Sequence, residues 1–246
     1  MAVTTGSKKR RVPWPVEFYR SAVGKKWVMA VTGIIWMGYL LAHMIGNLKI
    51  YIGFLADFDA YEIDLYGVAL RELLFPIFPS HVVLWVLRLG LIVALVFHVH
   101  AAYSLTVMNR RARQIGYQGP REYLVANYAS RTMRWSGVLV LVFIFWHLAD
   151  FTWGIAPFAP DSWEHGAVYA NFIATFSRVP VSILYIVANL ALGLHLYHGV
   201  WSLFQSLGIN NPRFNPWRRY FAMAFTAIIV IPNVSFPIAV LSGIVS

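Results

Sequence analysis

The sequence predicts an all-α integral membrane protein with five transmembrane helices, the N-terminus cytoplasmic and the C-terminus outside. Three observations carry this reading. Hydrophobic residues make up 59% of the 246 and charged residues only 12%, too little polarity to cover a solvated surface. The apolar residues fall into blocks at about 27–51, 81–108, 135–155, 179–207 and 220–245, each near the roughly 20 residues that cross a bilayer. Basic residues then alternate in density from one connection to the next, as orientation by cytoplasmic Lys and Arg requires.

Each block reads as a helix because lipid offers no partner to an unpaired backbone group. The first block is too long for a signal-peptide core and lacks a cleavage site, so a retained span is expected. Residues 1–26 read as a basic cytoplasmic tail and interfacial segment, and 27–246 as the five-helix domain. The tail holds Lys8, Lys9, Arg10, Arg11, Arg20, Lys25 and Lys26. The second-to-third connection holds Arg110, Arg111, Arg113, Arg121, Arg131 and Arg134, and the fourth-to-fifth holds Arg213, Arg218 and Arg219. These are 16 of the 20 basic residues, accompanied on that side by Glu17 and Glu122 alone among the acids. The opposite side carries Asp57, Asp59, Glu62, Asp64, Glu72, Asp150, Asp161 and Glu164. Membrane topology thus accounts for the net charge of +10, and nucleic acid is not an expected partner.

Between the spans, 54–80 is the longest outer connection, acidic and aromatic, closed by Pro76 and Pro79. Residues 110–134 form a basic cytoplasmic connection broken by Gly116, Gly119 and Pro120, and 210–216 read as a tight turn. Pro232 and Pro237 are expected to kink the fifth helix, whose neighbours can satisfy the freed carbonyls. The chain has no cysteine, which excludes disulfides, thiolate catalysis and any iron–sulfur cluster ligated wholly from within it.

Six of the eight histidines fall inside four successive spans: His43, the doublet His98 and His100, His147, and the doublet His195 and His198. A lone intramembrane histidine is usually a hydrogen-bonded packing residue, but four spans in succession point to a bound redox group. At 1.5 Å per residue from the cytoplasmic boundaries, His43 lies roughly 26 Å deep, His147 roughly 20 Å, and His98 and His195 roughly 18 Å. Two tiers follow, His43 with His147 toward the outside and His98 with His195 toward the cytoplasm. Two imidazoles facing each other from different helices are what a bis-histidine haem requires. Each doublet is expected to supply one ligand and one neighbouring or quinone-side residue, with His100 and His198 as the rivals. His98 and His100 lie about 200° apart on a helix and cannot face one group. Gly38, Ala42, Gly46, Ala101, Ala102, Gly193 and Gly199 would allow close approach of helices or of a flat macrocycle. Arg88, near the outer end of the second span, is a candidate propionate partner or a snorkelling side chain. His81 and His165 are expected at the interfaces, and many of the tryptophans at span ends as an aromatic belt.

Several local sequences resemble the five-helix, di-haem cytochrome b membrane-anchor subunits of succinate dehydrogenase and fumarate reductase, respiratory complex II. They are Ser21-Ala22-Val23-Gly24-Lys25-Lys26 with Met29-Ala30-Val31-Thr32-Gly33, and His43-Met44-Ile45-Gly46-Asn47-Leu48. His98 followed by Asn109-Arg110-Arg111-Ala112-Arg113 is a third, and His147-Leu148-Ala149-Asp150-Phe151 a fourth. The most specific is His195-Leu196-Tyr197-His198-Gly199 running into Ser202-Leu203-Phe204-Gln205-Ser206-Leu207-Gly208. The likeness covers residues 21–212 in order.

That resemblance implies that His43, His98, His147 and His195 are axial ligands of two b haems within a four-helix core. It also implies partners: a cytoplasmic flavoprotein subunit with FAD and an iron–sulfur subunit, docked on the basic face. The complex would couple succinate oxidation to quinone reduction, or the reverse, at the cell membrane. A Rieske-type [2Fe–2S] centre completed by another subunit is the alternative occupant of such histidines. Quinone carbonyls need donors at membrane depth. Lys25, Trp27, His198, Ser202 and Arg110 are the cytoplasmic-side candidates, and Asp57, Asp59, Glu62 and Glu72 the outer-side ones. Two other functions stay in view: a cytochrome b of a hydrogenase or formate dehydrogenase, and a transporter using a histidine proton relay.

Overall fold

In the computed structural model, residues 12–112, 128–209, 211–213 and 215–246 are described. The expectations placed on Lys8 to Arg11, on Arg113, Gly116, Gly119, Pro120, Arg121 and Glu122, and on the turn residue Asn210 lie outside them.

The chain runs through helices α1 (Trp14–Arg20), α2 (Ala22–Asn47), α3 (Glu62–Arg71), α4 (Val82–Ala112), α5 (Tyr128–His147), α6 (Val168–Phe176), α7 (Val179–Ser206) and α8 (Asn215–Leu241). Among the described residues five stretches are long and apolar enough to cross a bilayer: Ala22–Tyr51, Val82–Ala112, Thr132–Thr152, Val179–Ser206 and Asn215–Leu241. This is the signature of an all-α, multi-pass membrane protein. The surface agrees: α4 buries only Ala94, Ala101 and Leu105, while Val86, Leu89, Ile92, Val93 and Val96 are each more than half exposed. Water would not tolerate such a face, and lipid does.

Several boundaries differ from the sequence expectation. The interfacial segment ends at Arg20, because Ser21 turns the chain and its Oγ accepts from the Gly24 N–H at 2.9 Å, capping α2. Only glycine fits there, since a Cβ on Gly24 would lie 1.9 Å from the Phe18 carbonyl oxygen. α4 continues to Ala112 past its first arginines. Two connections between the long helices contain structure of their own. The 54–80 segment forms a minimal antiparallel hairpin, β1 (Phe54–Leu55) on β2 (Ala60–Tyr61), followed by α3. α3 sits close on α2 at Gly46, where a Cβ would come within 2.5 Å of the Tyr66 ring. Helix α6 precedes α7, and its Tyr169 N–H donates to Asp64 Oδ1 at 2.9 Å.

α7 is the most enclosed span and packs on α8 and α5, while α2 packs on α4 and touches α7 and α8. The largest core cluster lies at the end of the bundle that holds α3 and α6, where Phe172, Phe176, Tyr185 and Phe236 meet Ile50 and Ile63. Two smaller clusters follow α7 and α8 along their length, around Leu196 with Ile229 and around Val200 with Ala222. Pro232 and Pro237 both lie inside α8.

Candidate redox site

The span histidines come together in two facing pairs. His43 on α2 and His147 at the end of α5 have ring centroids 5.8 Å apart with planes nearly perpendicular. His98 on α4 and His195 on α7 are 6.4 Å apart and tilted by 58°. An atom bonded to two imidazoles from opposite sides holds the ring centres about 6 Å apart, from metal–nitrogen bonds of about 2.0 Å plus roughly 1 Å to each ring centre. Both pairs lie near that separation.

The hydrogen bonds around three of the rings determine which nitrogen is free. Thr32 gives its proton to the Val28 carbonyl at 2.7 Å, so its oxygen can only accept from His98 Nδ1 at 3.0 Å. Ser136 likewise donates to the Met133 carbonyl and faces His195 Nδ1 at 3.5 Å. Tyr185 donates to Asp150 Oδ2 at 2.8 Å and faces His147 Nδ1 at 3.4 Å. These contacts favour the tautomer with its proton on Nδ1, which would leave the Nε2 lone pair for a metal, as the neighbours of metal-bound histidines commonly arrange. His43 differs. It stacks on Tyr39 one turn back, and the Asn47 amide donates to its Nε2 at 3.3 Å.

Small residues leave room beside the rings. A Cβ on Gly137 would reach within 3.2 Å of His195 Cε1, and one on Gly33 within 3.9 Å of His98 Cε1. A Cβ on Gly38 or Gly90 would meet nothing within 4 Å. Among the described residues no group of three or more His, Asp or Glu side chains converges on one point. A metal held by this chain alone would therefore have two protein ligands per pair. Two histidines are what either a bis-histidine haem or the histidine side of a Rieske-type centre would take from such a pair.

The rivals are separated by the fold. His100 points to α1, stacked on Tyr19 and hydrogen-bonded to its hydroxyl, and does not face His195. Burial raises the Tyr19 hydroxyl above its ordinary range and keeps it neutral. His198 lies one turn beyond His195 against Trp201, and its buried Nδ1 has no hydrogen-bond partner among the described residues. Arg88 is exposed, with its guanidinium 5.1 Å over Trp85. His81 and His165 are both exposed.

The quinone candidates do not share one pocket. Lys25 is buried and donates to the Tyr19 carbonyl at 2.7 Å. Beside it a shallow, open depression on the surface is lined by Tyr103, Ser104, Val107, Met108 and Arg111 of α4, without Trp27, His198 or Ser202. Ser202 donates to the Gly199 carbonyl of its own helix, and Trp27 and Arg110 are exposed. Of the candidates expected on the outer side, Asp57, Asp59 and Glu72 are exposed, while Glu62 pairs with Lys49.

Asp150 is the clearest departure from the sequence reading, which counted it among the outer-side charges. It is fully buried, in a widened turn of helix (Leu148–Thr152) that extends α5 beyond His147. The groups beside the histidines (Thr32, Asn47, Ser136, Gly137 and Tyr185) were not singled out either. The available signal was spacing: Asn47 follows His43 by one turn and Asp150 follows His147 by three residues. Compared with protein-family models, with curated proteins and with solved structures, the chain matches none.

Proposed function

We propose that this chain is the membrane anchor and cytochrome b subunit of a succinate:quinone oxidoreductase, holding two bis-histidine b haems. The observation that carries this reading is the approach of four span histidines as two opposed pairs, His43 with His147 and His98 with His195. Three of the four have a hydroxyl facing Nδ1, which favours an Nε2 free to bind a metal, and the ring separations suit an iron between them. At the outer pair, His43 must exchange its Asn47 donor for the metal. The assignment to complex II rests on the motifs from Ser21 to Gly208 that resemble its anchor subunits.

When bound, haem supplies a one-electron iron centre without an open coordination position. The chain's own residues hold and orient it. Thr32, Ser136 and Tyr185 keep the protons on Nδ1, and the apolar spans exclude water. The four helices α2, α4, α5 and α7 would form the core around the two centres. The basic side, with Lys25, Lys26, Arg110, Arg111, Arg213 and Arg219, would face the cytoplasm and dock the iron–sulfur and flavoprotein subunits, and Ser246 would lie outside. Quinone would be reduced near the cytoplasmic end, where the open depression beside Lys25 offers the Ser104 and Tyr103 hydroxyls as donors.

The deciding experiment is metal and haem analysis with a reduced-minus-oxidised visible spectrum of the intact solubilised complex. The reading expects two b haems, reduced on adding succinate. Haem reduced by hydrogen or formate but not by succinate would move the chain to another membrane oxidoreductase. An intact complex free of iron would overturn both readings and leave a histidine proton relay.

A further inference from the structure

The two histidine pairs differ in what stands behind them. Behind the inner pair are two hydroxyls, Thr32 and Ser136, each committed to a neutral backbone carbonyl. Behind His147 stands a carboxylate. Asp150 is 0% exposed and accepts three hydrogen bonds, from Thr175 Oγ1 at 3.1 Å, Arg178 Nη2 at 3.0 Å and Tyr185 Oη at 2.8 Å. Tyr185 Oη in turn faces His147 Nδ1 at 3.4 Å, so a continuous chain runs from ring to carboxylate.

The backbone is arranged for this contact. After His147 the helix widens into a π turn, closed by the Trp153 N–H on the Leu148 carbonyl at 2.9 Å. Such single widened turns are infrequent and concentrate at functional sites. Here it carries Asp150 under the α6–α7 corner, where Thr175, Arg178 and Tyr185 converge. A buried carboxylate needs donors wherever it sits. Pinning α5 to that corner would need only Thr175 and Arg178, and the route through Tyr185 to a candidate ligand is the additional feature.

We propose that Asp150 acts through Tyr185 as a positioning residue for His147, polarising its ring and lowering the reduction potential of the outer centre. The inference rests on the redox reading above. A carboxylate accepting from Tyr185 makes that oxygen a stronger acceptor for the His147 N–H. The ring then gives more electron density through Nε2, which favours the oxidised metal. The inner pair, backed by neutral groups, lacks this effect.

The test is a redox titration of the intact complex followed by b-haem absorbance, in wild type, Tyr185→Phe and Asp150→Asn. Ser182→Ala serves as a control, since Ser182 Oγ bonds the Phe176 carbonyl in the same corner without touching the chain to His147. The outer potential is the one lost in His147→Ala. Tyr185→Phe should raise it so that the reduced-to-oxidised ratio at fixed poise increases about tenfold, about 59 mV for one electron. Asp150→Asn should shift it the same way, and the inner potential should stay in place. If Asp150→Asn does not assemble, Tyr185→Phe, which removes one oxygen atom, decides alone. An outer potential unchanged in Tyr185→Phe overturns the inference while leaving the redox reading intact. An equal shift in Ser182→Ala reduces Asp150 to a structural pin and also overturns it. Wild-type complex without b absorbance removes the redox reading and this inference together.

Discussion

His98 and His100 stand two residues apart on one helix and meet entirely different surroundings. One faces His195 and the other is stacked on Tyr19. If the facing pairs hold metal, His100→Ala should leave the haem content of the complex unchanged, whereas His98→Ala or His195→Ala should remove the inner haem. His43→Ala or His147→Ala should remove the outer one. Haem-to-protein ratio and the visible spectrum measure each outcome, and loss of both haems in His100→Ala would count against the pairing. Asp150 supports a second expectation at this scale. Removing one partner of a buried ion pair costs about 3–5 kcal/mol. Arg178 remains 28% exposed and also donates to the Phe158 carbonyl at 2.7 Å, so Asp150→Ala should fall near the lower end. Thermal denaturation of the solubilised complex would register this as a lower midpoint. The histidines were legible in the sequence because an ionisable ring in an apolar run is conspicuous. Thr32, Ser136 and Gly137 were not, since small polar residues in a span usually satisfy their own helix and leave no pattern.

At the scale of the element, spans were legible to within a few residues and caps were not. Ser21 ends the interfacial helix because a serine at that position can cap α2, and Gly24 permits the carbonyl of Phe18 to press against it. Gly24→Ala should therefore prise α1 from α2, and the overpacking is expected to cost about 1–3 kcal/mol. Proteolytic release of the N-terminal segment from the folded complex would report it, and an unchanged cleavage rate would contradict the corner described. Gly137 offers a more selective test. Gly137→Leu places a side chain where a Cβ alone already lies 3.2 Å from His195 Cε1. If the pairs hold haem, the inner haem should be lost while the outer one persists. Helices α3 and α6 left no mark in the sequence for a different reason. At 10 and 9 residues they are too short to show a span-length apolar run, and they are held by contacts with α2, α7 and each other.

At the scale of the whole molecule, charge asymmetry predicts orientation. With no native cysteine, single-cysteine variants give a clean readout. Ser246→Cys in sealed cells should react with an impermeant thiol reagent added outside, and Trp14→Cys only after the membrane is opened; the reverse would invert the proposed topology. The apolar runs, their number and the basic asymmetry are properties of the sequence alone. They follow from one local constraint, that a segment in lipid must satisfy its own backbone and cover a fixed thickness with apolar side chains. That is why an all-α membrane protein with histidines in four spans could be read without coordinates. The sequence paired His98 with His195 and kept His100 as a rival, and tertiary structure showed which ring faces His195. Tertiary structure likewise took Asp150 from the outer charges into a buried contact with Tyr185. Those outcomes depend on helix rotation, on a single widened turn after His147, and on residues 25 to 97 positions apart meeting through packing. No local rule encodes such encounters, because burial is a property of what the rest of the chain places alongside.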